Sequence, residues 1–200
     1  MARAGLTAAR VTQAAADLAD EAGFDKVTVS AVARVCGVRD ASLYSHVKSL
    51  QDLRTRIALL AGEELADRVA AAVAGRSGRD ALTAFADAYR DYARAHPGRY
   101  AATQIRIDPA ALADSPKALR KIDTTYAMLR GYGLEEPDLT DAVRLLRSTF
   151  HGYVSLEAGG GFNHSRDVQA SWERAVEALH VLLEHWPAAA APTAADARDR

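Results

Sequence analysis

The 200-residue chain predicts an all-α protein, and three features of the sequence lead there. Apolar residues recur at three- and four-residue steps along nearly the whole chain, the spacing that places them on one face of a helix. The β-branched alternation that marks a half-buried strand is nearly absent. Alanine, the best helix former, is abundant throughout. Apolar residues make up 49% and charged residues 26%, an ordinary globular mix. A chain this long buries roughly 70% of its unfolded surface, so its core needs no disulfide or metal.

The elements follow in order. Thr7 is an N-cap type, and a first helix is expected from there to Ala22, with the stripe Val11, Ala14, Ala15, Leu18 and Ala22 and a stop at Gly23. Phe24 should face back to the core. Ser30 is expected to cap a second helix carrying Val32, Ala33 and Cys36, and Gly37 stops it. A short helix over 40–46 precedes a long one over 50–74, which residues 75–78 break. Further helices are expected over 80–95, ahead of His96-Pro97, and over 98–104. Asp114-Ser115-Pro116 should open one that runs to Arg130. Thr140 should cap the next, to Glu157, and the last spans 167–186. That makes about nine helices with no internal repeat. Residues 187–200, Pro/Ala-rich and then charged, read as a flexible tail. The expected division is residues 1–50, residues 51–186 and this tail.

Charge and cysteine usage narrow the classes. Lys and Arg number 25 against 26 Asp and Glu, a net charge of −1, which excludes the basic coating of nucleic acid seen in histone-like chains. A small DNA-reading module offset elsewhere remains compatible with that balance. One cysteine excludes an intramolecular disulfide framework and a Cys-based zinc finger. No apolar run approaches the roughly 18 residues that cross a bilayer. The start, MARAGLTAAR, lacks the apolar core of a signal peptide, so a cytoplasmic chain without membrane attachment is expected.

The informative stretch is residues 28–53, TVSAVARVCGVRDASLYSHVKSLQDL. Two short helices joined by a tight turn at Gly37 form the helix-turn-helix pattern. Gly37 can take the positive φ such a turn needs, and Ala33, Val38 and Leu43 are small or apolar where the helices must touch. The second helix is too short and too polar on one face for a core helix. Its exposed set is expected to be Arg39, Asp40, Ala41, Ser42, Ser45 and His46. Small residues there let the backbone lie deep in a DNA major groove, where Arg39 can read guanine and Ser42 a base or phosphate.

The pattern of Ala33, Gly37, Val38, Leu43, Tyr44, His46, Val47 and Leu53 resembles the DNA-binding domain of TetR/AcrR-type transcriptional regulators, over roughly residues 7–53. The resemblance implies a three-helix DNA-binding domain whose third helix enters the major groove, with Tyr44 and Lys48 on phosphate. The implied DNA-contacting set is Thr28, Ser30, Arg39, Asp40, Ala41, Ser42, Tyr44, His46 and Lys48; Arg10 and Arg34 are further phosphate candidates or solvated surface. Where the family has Ser or Thr capping the third helix, this chain has Arg39, so Asp40 is expected to take over the cap. Leu50 stands where the family often has a lysine.

A second stretch, Phe150-His151-Gly152-Tyr153-Val154-Ser155-Leu156-Glu157 followed by Gly159-Gly160-Gly161-Phe162, resembles the C-terminal domain of a TetR subgroup with a Trp-His-Gly signature, Phe150 replacing the Trp. The layout fits residues 80–185. It implies a homodimer on a palindromic operator of double-stranded DNA, released by a small-molecule effector, and most simply a repressor. Recognition helices of such a dimer sit about 34 Å apart. Candidates for the effector pocket are Tyr89, Tyr92, Tyr100, Ile105, Tyr126, Met128, Leu129, Phe150 and His151, each equally readable as core. The tyrosines suit a mostly apolar ligand with a few hydrogen bonds. His151 reads as a core or interface histidine or as a ligand contact. Tyr153, Trp172, Val176, Leu179 and Leu183 are the candidate dimer contacts, on two helices that can form a four-helix interface.

Other classes have little to stand on. No G-x-S-x-G, H-E-x-x-H or P-loop occurs, so neither an enzyme, a metal site nor a cofactor is expected. His180 and Glu184 share a helix face at i, i+4 without completing a metal geometry. Cys36 reads as a small buried residue rather than a redox sensor. A helical interaction protein without DNA binding is the third class, and an electrophoretic shift with DNA separates it from the first.

Overall fold

The computed structural model describes residues 5–113 and 116–187, without the side chains of residues 113 and 116–122. The expected cap at Asp114-Ser115 and the tail from 188 onward lie outside the described residues. Ten α-helices and one 3-10 turn account for the regular structure, with no strand among the described residues.

Local chemistry sets most boundaries. The Thr7 Oγ1 accepts from the Arg10 N–H at 3.2 Å and starts α1, Ala8–Ala22, which ends as the Gly23 N–H donates to the Ala19 carbonyl at 2.9 Å. A 3-10 turn at Phe24–Lys26 leads to α2, Val29–Cys36. Its cap is Thr28 and not Ser30: the Ala31 N–H donates to Thr28 Oγ1 at 3.1 Å. The third helix, α3, covers only Asp40–Leu43. Ser49 caps α4, Leu50–Val73, accepting from the Asp52 N–H at 3.0 Å. Then come α5, Gly78–Ala95, and α6, Pro97–Ala102, which starts with proline in its first turn. A one-turn helix α7, Pro109–Ala113, was not expected from the sequence. It is followed by α8, Pro116–Arg130; α9, Asp138–Ala158; and α10, Val168–Glu184, which Asp167 caps. Ten helices therefore replace the expected nine, and α9 begins two residues ahead of Thr140.

Two cores form, and α4 carries both. The first gathers Val11, Ala15, Val32, Leu43, Val47, Leu53 and Ile57. The second begins with Leu65 on the same helix and continues through Leu82, Phe85, Tyr89, Leu146, Phe150, Trp172 and Leu183. The expected division at residue 50 falls at the start of α4, whereas the first core runs on to Ala58. Burying each large side chain here contributes about 1.5–3 kcal/mol. The buried face of α1 differs from the expected stripe: Val11, Thr12, Ala15, Ala16 and Ala19 point inward, while Ala22 is exposed. The cause is α6, which packs against α1 in addition to α2 and α4.

The contact between α6 and α1 is unusually close. A Cβ built on Gly98 would lie 1.9 Å from the Ala19 carbonyl oxygen, so only glycine fits. In the second core, the buried Arg90 guanidinium grips both oxygens of Glu157 at 2.8 Å, bonds Gln169 and sits over the Trp172 ring at 5.2 Å. The Arg90 hydrogen bonds hold the Glu157 carboxyl below its ordinary range, more than burial raises it.

Two outcomes follow from these contacts. Gly98→Ala forces backbone against backbone and should cost at least about 1–3 kcal/mol in a denaturant titration; an unchanged midpoint would mean that the helices are not held this close. Glu157→Gln should cost about 1–3 kcal/mol at neutral pH. Because the folded-state pKa of Glu157 is depressed, its contribution is present above the ordinary value near 4.5 and lost as pH falls through the depressed one. The gap between wild type and Glu157→Gln should therefore close in acid, and a gap independent of pH would rule this ion pair out as its source.

Candidate nucleic-acid interface and effector cavity

The helix-turn-helix is built from one glycine and two anchors. Gly37 adopts φ 67°, in the left-handed region, and the Val38 N–H donates to the Ala33 carbonyl at 3.0 Å, closing the end of α2. Leu43 and Val47 are buried on the inner side of α3 and the turn after it. That leaves Arg39, Asp40, Ala41, Ser42, Tyr44, Ser45 and Lys48 exposed on one segment, with Thr28, Ser30 and Arg34 exposed on α2 and its cap. Tyr44 is 57% exposed, too much for a core aromatic, so its ring is free to lie against a partner.

Three expectations change here. Asp40 does not cap α3; its carboxylate accepts a hydrogen bond from the Ser30 hydroxyl, and Arg39 at the N-cap position makes no capping bond either. The Thr28 hydroxyl oxygen is engaged in its own cap. His46 is half-buried rather than fully presented. Cys36 is half-buried and burial pushes its thiol up, away from thiolate chemistry.

A cavity of about 410 Å³ opens between α4, α5, α8, α9 and the end of α6. Of the pocket candidates, Tyr89, Ile105, Tyr126 and Phe150 line it. Tyr100 and His151 stand behind Tyr89 in a relay: the Tyr89 and Tyr100 hydroxyls lie 2.9 Å apart, and Tyr100 reaches His151 Nδ1 at 2.7 Å. Burial pushes both tyrosine hydroxyls up, and the charge of Arg147 opposes it. Tyr92 belongs elsewhere, with its hydroxyl on Glu64 Oε2 at 2.9 Å. Met128 lines a different hollow beside Val73 and Ala81, and Leu129 is wholly buried in the second core. The sequence reading missed Phe85, Thr125, Val143, Leu146 and Arg147. Val143, Leu146, Arg147 and Phe150 follow the i, i+3, i+4, i+7 rule, the signal that could have found them.

The short helix α6 stands between the cavity and α1. Its Arg99 is buried and pairs with Asp17, with Asp20 at 3.4 Å and with Glu64 at 3.6 Å, and its backbone N–H donates to Asp20 at 2.8 Å. His96, just before it, bonds the other Asp20 oxygen at 3.0 Å. The next residue after Arg99 is Tyr100 of the relay, and Thr103 and Ile105 beyond it line the cavity.

The candidate dimer contacts are occupied within the subunit. Trp172, Val176, Leu179 and Leu183 are buried in its own second core, and the Trp172 Nε1–H donates to Asp87 at 2.7 Å. Tyr153 donates its hydroxyl to the Val168 carbonyl at 2.9 Å and stacks its ring edge on Trp172. Large apolar residues on an interior stripe are buried by the nearest helix, and in α10 that helix is α5 of the same chain. The exposed large apolar residues of α9 and α10 are Leu156, Val181 and Leu182.

Residues 11–57 match the family described as bacterial regulatory proteins, tetR family, and residues 82–179 match a tetracyclin repressor-like C-terminal domain. An HTH-type transcriptional regulator of Bacillus subtilis, YobS, is 32% identical over 169 residues, 84% of this chain and 88% of the relative. This chain belongs to the tetR family of transcriptional regulators. A second HTH-type regulator, from Mycobacterium tuberculosis, is 34% identical over 161 residues, 78% of this chain and 72% of that one. Among solved structures, a possible TetR family regulator of Streptomyces coelicolor shares the fold with a TM-score of 0.70 at 21% identity, over 90% of this chain and all of that one. A TetR variant of Acinetobacter baumannii in complex with minocycline does so with a TM-score of 0.68 at 20% identity, over 92% and 100%. As a tetR-family member the chain is a DNA-binding regulator of transcription and not an enzyme. Among the described residues no helix is long and apolar enough to cross a membrane.

On this tetR-family face the two cations should differ in role. Arg39→Ala should cost about 1–3 kcal/mol of operator affinity and relax preference at one base pair. Lys48→Ala should weaken all sequences alike and flatten the salt dependence by about one unit of slope. Fluorescence anisotropy on operator variants at several salt concentrations reads both, and identical behaviour of the two variants would refute the assignment.

Proposed function

We propose that this regulator is a repressor that binds a palindromic operator as a homodimer and leaves it when a small molecule fills the cavity. The observation that carries the reading is the placement of α6. One side of that helix holds α1 through Arg99, Asp17 and Asp20, and its far end forms cavity wall at Thr103 and Ile105. A molecule that fits only when α6 shifts favours a state in which α1, and α3 with it, is displaced. The equilibrium moves by as much as the ligand's affinities for the two states differ.

DNA contact rests on Thr28, Ser30, Arg39, Asp40, Ala41, Ser42, Tyr44, His46 and Lys48, with Arg39 and Lys48 as the cations. Residues 1–50 hold six Lys/Arg and five Asp/Glu. One such face neutralises few phosphates, so tight binding requires two, which supports the homodimer. The dimer contacts we assign are Leu156, Val181 and Leu182, flanked by the small residues Gly152 and Ala178, in place of the buried set. That the Acinetobacter structure of the same fold is a complex with minocycline supports a small-molecule ligand.

Footprinting on DNA flanking the chain's own coding region should show a saturable, two-fold-symmetric protected site, with half-sites about 34 Å apart. Run-off transcription from that promoter should fall as protein is added; a rise would make it an activator, and no protection would end the reading. Leu182→Glu should sediment as a folded monomer with weakened operator binding, whereas Trp172→Glu should unfold. A Leu182→Glu dimer would remove α10 from the interface.

A further inference from the structure

We infer that the cavity takes an apolar molecule bearing one carboxylate, with the acid end on Arg147. This rests on the reading of the cavity as the effector site and names its ligand. Along α9, Val143, Leu146 and Phe150 form the stripe turned to the cavity, and Arg147 occupies the fourth place in that stripe. An apolar residue is the ordinary occupant of such a position. Among the described residues Arg147 forms no ion pair or hydrogen bond, although it is one of the cavity's lining residues.

The rest of the wall fixes the ligand's character. Phe85, Phe150, Ile105, Ile107, Leu112 and Leu146 supply a mostly apolar body, and no Asp or Glu is among the described lining residues. The hydroxyls of the wall have partners already: Tyr89 bonds Tyr100, Tyr126 bonds Thr140 at 3.4 Å, and Thr103 donates to the Tyr100 carbonyl at 2.7 Å. Arg147 is thus the charged group left for the ligand. Arg147 is itself exposed, at the rim of these apolar walls, and a guanidinium meets a carboxylate there with two parallel hydrogen bonds. An amine of the same body would meet like charge, and an alcohol would leave the cation half-satisfied.

The test uses the full chain without DNA. Anilinonaphthalene sulfonate, an apolar anion, should bind with saturable fluorescence and be displaced by decanoate or naphthoate at least about tenfold more tightly than by decanol, and least by decylamine. Arg147→Gln should weaken decanoate about tenfold and leave decanol unchanged, and Arg147→Glu should reverse the order of acid and amine. Equal displacement by acid, alcohol and amine, an unchanged acid affinity in Arg147→Gln, or no probe binding at all overturns the inference. Operator binding by the wild type is measured separately. If operator binding fails while the acids still bind, the regulator reading falls and the ligand class stands; the converse result leaves the regulator and removes the acid.

Discussion

The structure depends on the fit of α6 against α1. A buried guanidinium is costly unless it is paired, and Arg99 is paired where Asp17, Asp20 and Glu64 converge on it. Glycine at position 98 lets the helix start approach the Ala19 carbonyl closely enough for that pairing. Both conditions hold at one relative position of α1, α4 and α6. In the proposed mechanism, a shift of α6 would break these pairs and this close contact together. The same position sets Tyr100 against Tyr89 and brings Thr103 to the cavity wall.

The long helix α4 ties the two halves together. It contributes Leu53 and Ile57 to one core and Leu65 and Val69 to the other without a break. In the proposed mechanism, a shift at the second half of this shared helix would be passed to the setting of α1 to α3. The cavity borders α4 at Ala58 and Gly62, at the junction of the two cores, where small side chains leave room. In the proposed mechanism a ligand there would touch α4 and the end of α6 at once.

Capping chemistry made much of the fold legible in sequence. Thr7, Ser49 and Asp167 start helices where their side chains accept from the backbone, and Gly37 turns where a positive φ is required. The errors have physical sources. Ser30 is a cap type too, but Thr28 stands two residues earlier, directly before Val29, and Ser30, inside the helix, is drawn to Asp40. In α1, alanines on every side offer no contrast, so the buried face depended on α6, which the sequence could not place there. The helix α7 is a single turn and carries too few residues for a periodic signal. The stripe of Trp172, Val176, Leu179 and Leu183 was visible, but an apolar stripe does not say which chain covers it.

The near-neutral charge balance and Arg147, the one cation among the described residues lining the cavity, belong to the same economy of charge. The DNA-reading part gains little from bulk electrostatics, so in the proposed homodimer its affinity would depend on the geometry of two faces and would fall with a change in their spacing. A ligand that binds one state tenfold better than the other shifts the equilibrium by about 1.4 kcal/mol. That is within the range of one charge-assisted hydrogen bond of the type Arg147 offers. In the proposed mechanism, Arg147 at the rim of the cavity would supply a coupling of that size by itself.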